Sequence, residues 1–188
     1  MTKDNRPLCG IDEAGRGPLA GSLVMAGVVL TENIDGLMDS KQLSEKKREI
    51  FFEKIVATAR YHIVSFRAEE IDGEGISKCL AKGLRAIQKA LPECRYLFDG
   101  NSRFGVDNLE TLVKADAIVA EVSAASILAK VTRDREMVRL SEVYPEYGFE
   151  KHKGYATKAH YAALMRYGRS PVHRKSFRVR GLDEPTLF

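Results

Sequence analysis

The chain has little of what marks the commoner chemistries. Its three cysteines, Cys9, Cys79 and Cys94, are odd in number and lack metal-type spacing, so they read as reduced thiols rather than a disulfide framework or a zinc site. The four histidines, His62, His152, His160 and His173, form no HxxxH or HxH pair. There is no G-x-S-x-G elbow and no G-x-x-x-x-G-K-[ST] loop, which argues against serine-hydrolase and P-loop chemistry. The longest apolar run, LVMAGVVL, is far too short to span a bilayer. The N-terminal MTKDNRPL has no apolar signal core, so a cytoplasmic protein with no membrane partner is expected. No repeat, low-complexity tract or Ser/Gly-rich linker divides the chain. The most informative absence is acidic: from Lys151 to Leu182 there is no Asp or Glu, against nine Lys or Arg.

What is present fits one globular domain. A chain of 188 residues, 44% hydrophobic and 30% charged, can bury a core without staples. The expectation is a single domain over 1–188, with a basic helical C-terminal region from about residue 144. Because the net charge is only +4, the rest of the chain is net acidic. An acidic body with a basic arm suggests a surface for a polyanion.

Hydrophobic periodicity outlines the elements. Leu8–Asp12 reads as a short strand and Ser22–Leu30 as a buried one. Ser44 can cap a helix whose apolar face is Ile50, Phe51, Ile55 and Ala59. Tyr61–Arg67 follows as a strand. Ile76, Leu80, Leu84, Ile87 and Leu91 then lie at helical spacing, and Pro92 ends that helix. Tyr96–Asp99 and Lys114–Ala120 read as strands. A long helix over Val122–Val143 turns Ile127, Leu128, Val131 and Val138 to the core. A last helix after Thr157 buries Tyr161, Leu164 and Met165 and closes at Gly168. Strands alternating with helices give an α/β class, a mixed sheet covered by helices.

The chemistry concentrates where strands end. In CGIDEAGRGPLAG, residues 9–21, Asp12 and Glu13 close the first strand. Asp99 closes another in LFDGN, and Asp116 sits in VKADAIVA beside a third. One aspartate before a glycine is most often a turn former. Four acids at the edges of apolar strands are a different matter, because carboxylates crowded together stay ionised only beside a cation. Oxygen ligands suit Mg²⁺ or Mn²⁺. Neighbouring strand residues face opposite ways, so Asp12 and Glu13 can share a metal only if the chain leaves the sheet at Glu13, an exit Gly15 would allow. The glycines are not a dinucleotide fingerprint, since Pro18 leads into a strand rather than a helix. A nucleic-acid-binding module would use the basic arm but not the acids. Another metal-dependent phosphoryl-transfer enzyme, such as a DNA junction nuclease, would use the acids too.

The motifs taken together resemble bacterial ribonuclease HII. DEAGRG resembles that family's opening motif, and the likeness continues through DSKQLSEKKRE, LFDGN, VKADAIVAEVSAASILAKVTRDREM, HKGYATKAH and SPVHRKSF, in order over roughly residues 8–177. The resemblance implies a ribonuclease H-like fold, a mixed five-stranded sheet flanked by helices with a helical C-terminal part. It implies endonucleolytic hydrolysis of RNA in RNA–DNA hybrids and 5′ of single ribonucleotides in duplex DNA, by two Mn²⁺ or Mg²⁺ ions, leaving 5′-phosphate and 3′-OH ends. Asp12, Glu13, Asp99 and Asp116 would be the catalytic, metal-binding acids. Gly15, Arg16 and Gly17 would recognise the 2′-OH and nearby backbone. Tyr155 would pack on the sugar past the RNA-to-DNA junction, and Lys41, with Ser40, would touch phosphate. Asp134 competes with Asp116, but Lys130 at i−4 predicts an ion pair for it instead. A monomer is expected.

Overall fold

The computed structural model describes residues 4–37 and 43–183, so Ser40 and Lys41 lie outside the described residues. Five strands form one sheet: β1 (Leu8–Ala14), β2 (Leu23–Val29), β3 (Arg60–Phe66), β4 (Arg95–Asp99) and β5 (Leu109–Leu112). Their spatial order is β3-β2-β1-β4-β5. β1 pairs antiparallel with β2 and parallel with β4; β3 adds antiparallel to β2, and β5 parallel to β4. This is the mixed five-stranded sheet expected from the resemblance.

Both faces of the sheet are covered, which is why β2 is apolar at every position rather than alternating. Cys9, Ile11, Leu23 and Met25 pack against α3 (Ile76–Ala90) through Leu80, Leu84 and Ile87. Val24, Ala26 and Val28 point the other way, onto α1 (Glu45–Thr58) and α4 (Ala120–Val143). α4 lies very close to β1. A Cβ on Gly10 would fall 2.3 Å from the Glu121 and Val122 backbone, and Ala124 and Ala125 are fully buried there. Small residues at this crossing bring the helix down onto the strand that carries Asp12.

The C-terminal part wraps α5 (Phe149–His152) and α6 (Lys158–Tyr167) around a third core of Leu19, Met137, Tyr147, Phe149, Leu164 and Val179. His160 and His173 are buried in it with their Nε2 atoms 3.0 Å apart, and burial, then His160, pushes His173 down to about 4. Burial lowers His160 in the same direction, and the two rings are joined to each other. All three cysteines are free and buried. Among the described residues no helix is long and apolar enough to cross a membrane.

Several sequence expectations need correction. The segment 114–120 is not a strand: β5 comes earlier, and Ala115–Ala117 forms a 3₁₀ turn entered through a left-handed Lys114 at φ 60°. A short helix, α2 (Ala68–Glu74), precedes α3, too short to show a periodicity. Ile50, Val138 and Met165 are exposed rather than buried. Each adjoins a buried or partly buried neighbour (Phe51, Met137, Leu164), and one residue along a helix is about 100° round it, enough to leave a narrow contact stripe.

Candidate active site

Parallel pairing puts acids from distant parts of the sequence side by side. The register Ile11↔Phe98 makes the next residues, Asp12 and Asp99, neighbours at the carboxyl ends of β1 and β4, the usual place for a site in an open α/β sheet. β5 runs parallel beside them, with Leu112 opposite Asp99, and the chain then turns back through the 3₁₀ turn that carries Asp116. Asp99 holds that turn itself: its Oδ1 accepts the Lys114 N–H at 2.8 Å and the Ala115 N–H at 3.4 Å. One carboxylate oxygen from each of Asp12, Asp99 and Asp116 lies within 4.8 Å of the others. Asp116 is fully buried and Asp12 is 7% exposed.

Glu13 sits beside this group rather than in it. The chain does not leave the sheet at Glu13, the condition set for a regular strand to share a metal between Asp12 and Glu13; β1 continues to Ala14, with Glu13 paired to Met25. The Glu13 carboxylate stays near enough to the group for its charge to act on Asp12 and for that of Asp99 to act on it. Its Oε1 pairs with Arg16 Nη2 at 2.6 Å, while its Oε2 is buried without a hydrogen-bond partner among the described residues. The exit comes at Gly15, at φ +92°.

Burial, and then the Glu13 charge, raises Asp12 to about 8. Burial raises Glu13 to about 7, against the opposing pull of Arg16. The oxygen-only donors and the orphaned Glu13 oxygen fit a hard divalent cation. A pH dependence follows. Folded carboxyls with raised pKa hold protons that the unfolded chain has already released, so metal-free stability falls as pH rises from about 4 towards about 8. A cation competing for the same oxygens does better as those protons leave. The Tm increase on adding Mn²⁺ or Mg²⁺ is therefore expected to be larger near pH ~8.5 than near pH ~5.5, read by thermal melts. An increase independent of pH would detach Asp12 and Glu13 from the metal.

A cleft of about 360 Å³ adjoins the acids, lined by Glu13, the Gly15-Arg16-Gly17 triplet, Lys130 and Tyr155. A larger cleft, of about 560 Å³, lies beside Ser65, Arg67, Glu136 and Arg139 and touches none of the four acids, so size does not locate the site. Tyr155 is 46% exposed, not a core tyrosine, and its ring centre is 5.8 Å from the Arg133 guanidinium. Arg16 is exposed and lies 5.9 Å from the centre of the Phe104 ring. Asp134 pairs with Lys130 at 2.8 Å, as expected, though it is 7% exposed rather than a surface group.

Sequence reasoning missed the helix face opposite the acids. Ser126, Lys130 and Arg133 follow at i, i+4 and i+7 along α4, so one stripe faces the site, with Ser126 bonded to Asp12. That spacing was visible in SAASILAKVTR and could have found them. The basic arm is also less uniform than its composition suggests. Arg174 is buried and Arg169 pairs with Asp183, while Lys151, Lys158, Arg166, Lys175, Arg178 and Arg180 are exposed.

A family model for ribonuclease HII matches residues 9–180. The ribonuclease HII of Sulfurovum sp. (strain NBC37-1) is 70% identical over the full length of both chains. Among solved structures, the chain resembles a ribonuclease HII from Archaeoglobus fulgidus, solved in complex with PCNA, with TM-score 0.83, 29% identity and coverage of 96% of this chain and 98% of that one. Ribonuclease H2 from Pyrococcus horikoshii OT3 matches with TM-score 0.74 and 31% identity, over 91% of this chain and 93% of that one.

Proposed function

The chain belongs to the ribonuclease HII family and is an endonucleolytic hydrolase of the ribonuclease H type, and from that premise we propose that it cuts RNA–DNA hybrids and duplex DNA 5′ of single embedded ribonucleotides. The observation that carries this reading is the adjacency of two unlike features. An acidic cluster of Asp12, Asp99 and Asp116 adjoins a glycine-flanked loop, and Glu13 belongs to the edge of both.

Asp12, Glu13, Asp99 and Asp116 would hold two divalent ions, Mg²⁺ or Mn²⁺. When bound, these supply an activated water and charge stabilisation for the leaving 3′-oxygen. Asp99 orients the turn bearing Asp116, so the two carboxylates are set as a unit. Ser126 and the Glu13 N–H, 2.7 Å from Asp12 Oδ1, orient Asp12. Gly15, Arg16 and Gly17 would meet the ribose. A 2′-OH, donor and acceptor at once, separates RNA from DNA at one nucleotide, and a glycine backbone can come close to it. Tyr155 would pack on the following sugar, Lys41 and Ser40 would touch phosphate, and the exposed basic residues would bind the duplex without regard to sequence. Water attacks while the 2′-OH is held in recognition, so the products carry 3′-OH and 5′-phosphate ends.

The test is a duplex with a single ribonucleotide, with and without Mg²⁺ or Mn²⁺, beside an all-DNA control. Metal-dependent cutting of the first alone is expected. Equal cutting of both would point to a general nuclease, and metal-independent cutting would dismiss the acids.

A further inference from the structure

Among the described residues Arg133 and Arg174 are the two largest fully buried side chains, 1% and 0% exposed. A buried guanidinium usually meets a carboxylate. Here the donors go to main-chain carbonyls. Arg133, on α4, donates Nε to Ser22 at 3.0 Å, Nη2 to Ala20 at 3.0 Å and Nη1 to Lys153 at 2.9 Å. Arg174 donates Nε to Gly21 at 3.0 Å, Nη1 to Arg16 at 3.1 Å and Nη2 to Gly15 at 2.6 Å. Every acceptor lies in one of two segments: the loop from Gly15 to Ser22, or the HKGY stretch that carries Tyr155.

The two segments also touch each other. Leu19 N–H donates to the Gly154 carbonyl at 2.9 Å, and a Cβ on Gly154 would fall 2.5 Å from the Ala20 oxygen. Gly15 rests on Arg133 so closely that a Cβ would lie 2.2 Å from Nε. Burial, and then the charge of Arg133, lowers Arg174 to about 10, so both remain cations at neutral pH. Two like charges in one buried place are costly, and apolar side chains of similar volume would fill it with less strain.

We propose that Arg133 and Arg174 are positioning residues that lock the Gly15–Gly21 loop and the HKGY loop into one rigid surface, and thereby set the preference for ribose over deoxyribose. The proposal rests on the 2′-OH reading of these loops given above. The planar fork is the reason arginine is needed. The fixed donors of Arg133 reach carbonyls on both segments at once, and those of Arg174 reach Gly15, Arg16 and Gly21 of the one loop, whereas a lysine keeps the charge but offers one compact ammonium.

The test uses the full chain with Arg133→Lys and Arg174→Lys, and with Arg133→Met and Arg174→Met, which remove the buried charge. Two quantities are read: kcat/KM for a duplex with one ribonucleotide, and Ki for an all-DNA duplex as competitor. In variants that keep the wild-type near-UV circular dichroism, kcat/KM is expected to fall about 10- to 100-fold with Ki unchanged, because small displacements of a recognition loop cost that much. A folded variant with full kcat/KM, or one in which both quantities worsen together, overturns the proposal. Unfolding of all four variants overturns it as well, by showing that the arginines hold the whole fold rather than two loops. A wild-type protein that cuts all-DNA duplex equally well would instead refute the 2′-OH reading beneath it, before any variant is made.

Discussion

Asp99→Asn is expected to lower cleavage by about three orders of magnitude while leaving the fold and duplex binding intact. The substitution separates the two roles of this side chain. Asp99 Oδ1 accepts from the N–H groups of Lys114 and Ala115, and the asparagine carbonyl oxygen can accept the same two bonds. The turn that places Asp116 is thus retained. What is lost is the negative charge beside Asp12 and Asp116, which a divalent cation requires. Single-turnover cleavage, a melting curve and a duplex-binding titration together decide it. Full activity would remove Asp99 from the site, and a collapsed Tm would mean that its charge, rather than its hydrogen bonds, holds the turn.

The glycine triplet should divide into a structural half and a substrate half. Gly15→Ala places a side chain at φ +92° and 2.2 Å from the buried Arg133 Nε, with the Ser22 carbonyl at 2.5 Å. Neither neighbour can yield, since Arg133 is held by three carbonyls. A loss of about 3 kcal/mol, or roughly 10 °C in Tm, is expected, with activity falling alongside. Gly17→Ala is different: nothing lies within 4 Å of the added Cβ, and its φ is not among the positive ones. Its Tm should stay within about 2 °C of wild type. Its cleavage of a ribonucleotide-bearing duplex should still fall about tenfold, because the space it fills is where a sugar would approach. An unchanged Tm for Gly15→Ala would contradict the loop geometry. Full activity in Gly17→Ala would move the ribose away from residue 17.

Much of the fold was legible because it is local. Ser44 caps α1 by accepting the Lys47 N–H, and the periodicity of Ile76, Leu80, Leu84 and Ile87 is the buried face of α3. The Lys130–Asp134 pair needs only helical spacing. The misreading of 114–120 has an equally local cause. VKADAIVA alternates like a strand, but its Asp116 sits in a turn whose Lys114 N–H donates to Asp99, fifteen positions before Lys114. A strand-length window of about four to eight residues does not contain both ends of that interaction.

The sequence by itself determined which residue types are available: acids at strand ends, glycines around Arg16, a basic C-terminal stretch, and helices whose stripes could cover a sheet. Those follow from side-chain chemistry and near-neighbour geometry. Only the tertiary structure decided which of them meet. Parallel pairing of β1 with β4 set Asp12 beside Asp99, and Glu13, at the edge of that group, pairs with Arg16. Arg174, read from sequence as one more member of a cationic arm, is instead buried under the loop it holds. Burial and charge proximity depend on contacts between residues far apart in sequence, such as Gly15 and Arg174, 159 positions apart, and these exist only once the chain has closed on itself.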